Sequence, residues 1–269
     1  MRQARCRLNL NLSRFDSPPR AASVSPERGN TPRLAAGLFI LVYSPGHDTP
    51  HEGEQHGHRR HYFPTDKAIQ PMELAKEVEA RGFESLWFPE HSHIPTSRET
   101  PWGGFKHLPP LPEEYSRTHD QFVALTACAA VTKKLRLGAG ITLVTQRDPI
   151  WLAKEVASLD VISGGRVEFG IGYGWNVEEM RNHGLDFKKR REILREHILL
   201  MKELWTKEEA EFSGKHVKFE KSWAWPKPIQ KPHPNVIMGA PLVRKQRPMS
   251  PSFATAGCRS MGYTMSMAG

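Results

Sequence analysis

Glu90 and His91 open a short polar stretch, Glu-His-Ser-His, that follows directly on the apolar run at 83–89. A histidine titrates near neutral pH, and a residue at the C-terminal end of a strand in a parallel α/β fold is aimed at the ligand side of the sheet. Glu90 and His91 are therefore the candidate catalytic residues, placed for proton transfer. The plainer reading is a strand-capping pair that only hydrogen-bonds the neighbouring loop. His91 and His93 also form an H-x-H, which on an extended segment turns two imidazoles to the same side, as in metal-dependent barrel hydrolases. That chemistry needs further ligands at later strand ends. His183, His216 and His233 read instead as helix, hairpin and loop, so no metal site is expected. Arg147 and Asp148 read as an ion pair at the entrance to a helix opened by Pro149.

A second segment, D-V-I-S-G-G-R-V-E-F-G-I-G-Y-G-W-N-V-E-E (160–179), places a glycine-rich exit at the end of another strand. Gly164 and Gly165 suit a helix C-terminus, where a positive φ is cheap only for glycine. The small residues Gly170, Gly172 and Gly174 would let a planar ring approach the backbone, or would serve tight packing alone. Trp87 and Phe88 read as core.

These residues need a scaffold of alternating elements. Helical spacing runs from Pro71 to Gly82, from Asp120 to Thr132, from Pro149 to Ile162 and, with a clear apolar face, from Lys188 to Trp205. Strand patterns occupy 83–89, 135–144, 167–171 and 235–240, with one further strand at either 38–42 or 62–63. Residues 210–220 alternate as a small hairpin turning at Gly214-Lys215. Strand, helix, strand, helix in succession predicts an α/β fold with a parallel sheet and right-handed crossovers. Five strands are three short of a closed (β/α)8 barrel.

Composition divides the chain. Residues 1–60 hold nine Arg and no Lys against five acids, residues 241–269 hold four basic residues and no acid, and the net charge of +9 thereby leaves +1 for 61–240. The basic charge lies at the ends, so neither a nucleic-acid face nor a membrane span is expected of the body. The His-rich stretch before Tyr62 has no ligand geometry and reads as a flexible linker. Cys6, Cys128 and Cys258 are far apart, with neither disulfide nor zinc spacing, which points to a cytoplasmic setting. The expected organisation is a disordered leader at 1–60, a folded domain at 61–240 and an atypical tail at 241–269.

Laid end to end, residues 61–240 resemble the luciferase-like monooxygenase superfamily, in its coenzyme F-420-dependent branch. The resemblance rests on F-P-T-D (63–66), G-F-E-S-L-W-F-P-E-H-S-H-I-P (82–95), L-R-L-G-A-G-I-T-L-V-T-Q-R-D-P (135–149), A-K-E-V-A-S-L-D-V-I-S-G-G-R (153–166) and G-I-G-Y-G-W-N-V-E-E (170–179). It implies an α/β (β/α)8 TIM barrel of the luciferase-like type, incomplete here at about five of eight strands. It also implies hydride transfer between F-420 and a small organic substrate or, as the alternative, an FMN-dependent monooxygenase, with a homodimer as the assembly. Matched motif to motif, Gly140-Ile141 falls where relatives carry a non-proline cis peptide. Thr142 and Leu143 would lie under the cofactor ring, and Tyr173, Gly174, Trp175 and Asn176 would line its edge. The flanking segments depart from the family and read as frame-altered, and the late strands that hold the cofactor phosphate in relatives are expected to be missing. An inactive truncated paralogue or interaction module is the competing expectation.

Overall fold

The computed structural model describes residues 59–96, 99–102, 106 and 110–239. Five strands form one parallel sheet: β1 (Arg59–His61), β2 (Ser85–Phe88), β3 (Arg136–Thr142), β4 (Val167–Ile171) and β7 (Asn235–Met238), in the order β1-β2-β3-β4-β7. The crossovers are α1 (Pro71–Ala80), α2 (Gln121–Val131), α3 (Pro149–Ser163), and a longer unit made of α4 (Val177–Asn182), α5 (Arg190–Thr206) and the antiparallel hairpin β5 (Glu209–Ser213) with β6 (Lys218–Trp223). Spatial order follows chain order, and α1, α2, α3 and α5 pack successively against one another. That is the single winding of a (β/α)8 barrel. A doubly wound sheet reverses its strand order at a switch point.

Alternation along the strands explains the two faces. Leu86, Phe88, Leu137, Val167, Phe169 and Ile171 turn toward the helices and join Leu125, Leu152, Val156, Leu194, Ile198 and Trp205 in one buried core. On the opposite face Trp87, 1% exposed, donates its indole N–H to the Ser85 hydroxyl at 2.8 Å. A side chain at Gly138 would run into the Trp87 ring, and one at Gly170 would strike the Ala139 carbonyl with that ring close by. The space beside Gly170 thus belongs to the protein itself. At Gly172 it is the Ile141 side chain that fills the gap. The approach expected of a planar ligand at those two glycines is corrected: both are small because neighbouring strands and side chains meet there.

Local chemistry sets the ends of the elements. Asp120 and Asp148 cap α2 and α3 by accepting backbone N–H bonds, and α3 ends at Gly164 with φ +71°. Arg166, next in the same turn, donates to the carbonyls of Ser163, Leu135, Ala129 and Thr132 and to the Thr132 hydroxyl, at 2.6–3.0 Å. It welds the end of α2, the start of β3 and the end of α3.

The first strand lies at 59–61, just ahead of the expected 62–63. Its register against β2 carries the pairing up to His61, and Tyr62 continues it only through its N–H to the Trp87 carbonyl. The alternative at 38–42 and the His-rich stretch up to His58 lie outside the described residues. The strand expected at 135–144 is shorter, because Val144–Gln146 turn into a 3-10 helix. The Gly140–Ile141 peptide is cis, within an irregularity of the β3/β4 register between Ala139 and Thr142. The hairpin and the four long helices stand where their periodicity puts them.

Candidate active site

The exits of β2, β3 and β4 converge at the C-terminal edge of the sheet. Glu90, two residues beyond β2, is buried and points its carboxylate across to the β3 exit. It accepts the Leu143 N–H at 2.6 Å and the Arg147 Nε–H at 2.6 Å. Burial pushes the Glu90 carboxyl upward, and Arg147 with the Leu143 N–H pulls it back. Arg147 also binds Asp120 at 2.8 Å and Glu155 at 3.0 Å and lies over the Phe122 ring at 5.0 Å. Although burial opposes its charge, the surrounding carboxylates hold this guanidinium firmly protonated. The Arg147–Asp148 pair expected from the sequence is not formed: Asp148 is occupied with the first N–H groups of α3.

His91 faces the other way. Its Nδ1 meets Glu179 Oε2 at 2.9 Å, with the two side chains 6% and 1% exposed. A carboxylate can only accept, so the proton sits on Nδ1 and Nε2 is left to take up or release a proton. The ring is flanked by Tyr115 at 5.3 Å and Trp175 at 5.9 Å. His93 does not join His91. Its Nδ1 meets the Ser92 hydroxyl at 2.9 Å and its Nε2 meets Asn182 at 2.9 Å, while Ser92 also bonds His183 Nε2 at 2.8 Å. The two histidines of the H-x-H therefore serve different partners, and no group of three metal-ligating side chains occurs among the described residues.

The remaining sequence candidates divide. Gly140, Ile141, Tyr173, Gly174 and Trp175 are partly exposed at the β3 and β4 exits, and Leu143 is buried beside them. Gly174 has φ +74°, and a side chain there would touch Leu143 and Met180 at contact distance. Thr142 is fully buried with its hydroxyl 2.7 Å from Gln121 Oε1, an internal bond. Asn176 caps α4 through the Glu179 N–H at 3.1 Å. Its Nδ2 and the Glu179 Oε1 are buried without a protein partner, as are His119 Nε2 and both amide atoms of Gln146. Between the β2 exit, the 118–121 turn and the β3 exit lies a cavity of about 380 Å³, lined in part by Glu90, His91, His119, Leu143 and Gln146. A partly apolar surface at two strand ends, with unpaired polar atoms beside it, fits a flat heteroaromatic group.

Glu179, Gln146 and His119 escaped the sequence reading. Only Glu179 carried a signal: Asn176-x-x-Glu179 has capping-box spacing, which marks the residue as belonging to a helix start but says nothing of His91. Glu178, beside it, is 3% exposed and holds the loop over this edge by accepting the Glu99 and Thr100 N–H groups and the Thr100 hydroxyl. Burial would raise its carboxyl, yet these bonds bring it down to about 2. A depressed carboxyl contributes stability above its unfolded value and loses it as pH falls through about 2. Glu178→Ala is expected to cost about 1–3 kcal/mol by stranding two N–H groups. Amide hydrogen exchange should show Glu99 and Thr100 losing protection in the variant at pH 7, and in the parent protein only in strong acid; unchanged protection in the variant would refute the tether.

A family model described as luciferase-like monooxygenase matches residues 40–242. The uncharacterized protein Rv0953c of Mycobacterium tuberculosis is 46% identical over 180 residues, 66% of this chain and 63% of that protein. The oxygenase component of the flavin-dependent trigonelline monooxygenase of Acinetobacter baylyi is 29% identical over 70% of this chain and 46% of its own length. The F-420-dependent glucose-6-phosphate dehydrogenase of Amycolatopsis mediterranei is 28% identical over 65% and 49%. The chain thus spans about half to two-thirds of these relatives. Among solved structures, monooxygenase RslO1 of Streptomyces bottropensis superposes with a TM-score of 0.55 at 24% identity, covering 68% of this chain and 52% of that one.

Proposed function

Because this chain belongs to the luciferase-like monooxygenase family, we propose that it is an oxidoreductase that transfers two electrons between coenzyme F-420 and a small organic substrate. The observation that carries the reading is the buried His91–Glu179 pair, beside a cavity at the C-terminal edge of the parallel sheet. When bound, F-420 supplies the hydride donor or acceptor. The chain's own residues do the rest. Glu179 fixes the His91 tautomer, so that Nε2 exchanges a proton with the substrate oxygen as the bond order at that carbon changes. Tyr115 and Trp175 pack against the imidazole and limit water around it. Glu90 acts as a positioning residue, locking the β2 exit to the β3 exit through Arg147 and Leu143. Gly140, Ile141, Leu143, Tyr173, Gly174 and Trp175 would form the bed and rim of the ring site, with Thr142 and Asn176 behind them.

FMN is the second reading, favoured by the flavin-dependent relative as F-420 is by the dehydrogenase. Titration of the full chain with each cofactor, followed by ring fluorescence and thermal unfolding, separates them. Saturable binding of F-420 with a raised melting temperature is the expected result. Saturation by FMN alone transfers the proposal to a flavin oxidoreductase. Binding of neither refutes it. No helix among the described residues is long and apolar enough to cross a membrane, and we place the enzyme in the cytoplasm.

A further inference from the structure

Nearly every polar side chain on the cavity wall is committed to the protein. Glu90 and Asp120 both bind Arg147, Ser92 and His183 bond each other, and Gln121 spends its amide on Phe88 and Thr142. Apart from His91 Nε2, which the proton-transfer role uses, what remains is the Gln146 carboxamide, buried with neither oxygen nor nitrogen bonded, and His119 Nε2, buried and equally unpaired. Such atoms are rare in folded proteins and call for a partner. The Arg147 guanidinium is already shared among Glu90, Asp120 and Glu155, so the partner is not an anion at this end. A carboxamide presents an acceptor beside a donor, and its complement is an N–H beside a C=O on one rigid edge.

We infer that the cavity receives the imide edge of a pyrimidinedione, in which C=O, N–H and C=O stand in a row: the N–H and one carbonyl pair with the Gln146 carboxamide, and the second carbonyl accepts from His119 Nε2–H. Two molecules could bring this edge, the pyrimidine ring shared by F-420 and FMN, or a free pyrimidinedione substrate. The first source rests on the cofactor reading above; the second does not.

The test measures dissociation constants by fluorescence quenching or calorimetry, on the full chain and on Gln146→Leu, with F-420, FMN, N3-methyl-FMN and uracil as probes. Gln146→Leu removes only unsatisfied atoms, so its melting temperature without ligand should match or exceed that of the parent. Expected is a ten- to hundredfold loss of F-420 or FMN affinity, roughly the worth of two hydrogen bonds. N3-methyl-FMN, whose methyl group blocks the donor, should bind both proteins equally weakly. Unchanged ring affinity, with uracil binding to the ring-loaded protein lost in Gln146→Leu, assigns the edge to the substrate. If the parent binds neither ring, the cofactor reading fails, and uracil alone decides: loss of its binding in the variant sustains the inference. Wild-type affinities for all probes in Gln146→Leu, or a parent that binds neither ring nor uracil, overturn it.

Discussion

Arg147→Met lowers the stability of the domain at pH 7 by about 3–5 kcal/mol, the range for breaking one partner out of a buried ion pair. Arg147 is the cation for Glu90, Asp120 and Glu155 together, and Glu90 is only 8% exposed at its side chain. Without the guanidinium, the Glu90 charge must stay in a desolvated site or take up a proton. Its carboxyl, already pushed upward by burial, rises further in the variant. A group whose folded pKa is raised favours folding below its unfolded value and loses that contribution as pH climbs through the folded one. The deficit of Arg147→Met should therefore be largest at neutral pH and shrink toward pH 4–5. Urea midpoints of both proteins at pH 7 and pH 5 measure this. The double variant Glu90→Gln with Arg147→Met should recover part of the loss, because no buried charge is then stranded. Equal midpoints for parent and single variant at pH 7 would show that the pair has no structural role.

His91→Ala is expected to reduce kcat by about 10²–10⁴-fold, the usual contribution of a positioned acid or base, while ring affinity changes only a few-fold. His91 is nearly fully buried and held by Glu179 at 2.9 Å, so the imidazole is poised at a fixed height over the cavity rather than free to sample it. His91→Gln keeps a hydrogen bond to Glu179 and much of the volume but cannot move a proton, and should be as slow as the alanine variant. Single-turnover spectroscopy of the bound cofactor, read beside its dissociation constant, separates chemistry from binding. A His91→Gln protein with undiminished turnover would assign proton transfer elsewhere. A fall in affinity with unchanged single-turnover rate would make His91 a binding residue.

How far the sequence already contained this site differs from residue to residue. His91 stood out because a polar run followed an apolar one at a strand end, a signal local to about a dozen residues. Glu179 did not, since its bond to His91 spans 88 positions and nothing nearby distinguishes a carboxylate that reaches across the sheet edge from one that merely caps a helix. Arg147 stands beside Asp148 in the sequence, yet its partners are Glu90, Asp120 and Glu155. Adjacent opposite charges suggest a pair, but Asp148 was already required by the unpaired N–H groups of α3. The glycines of β4 were legible as places where something flat comes close. That the space at Gly170 is taken by the Ala139 carbonyl, with the ring of Trp87 from two strands away close behind, could not be read from a list of small residues.

Periodicity, caps and breakers by themselves determined the elements, because those preferences arise within a turn or two of backbone. The helices, the β5–β6 hairpin and the parallel winding all follow from them, and the long motifs in order carried the family. Only the tertiary structure decided which side chains meet: Glu90 with Arg147, His91 with Glu179, Trp87 with Gly138, and the Gln146 carboxamide with no partner at all. Those outcomes depend on distances between chain segments 50 or more residues apart or on what a closed core leaves unsatisfied, and neither quantity is local to the sequence.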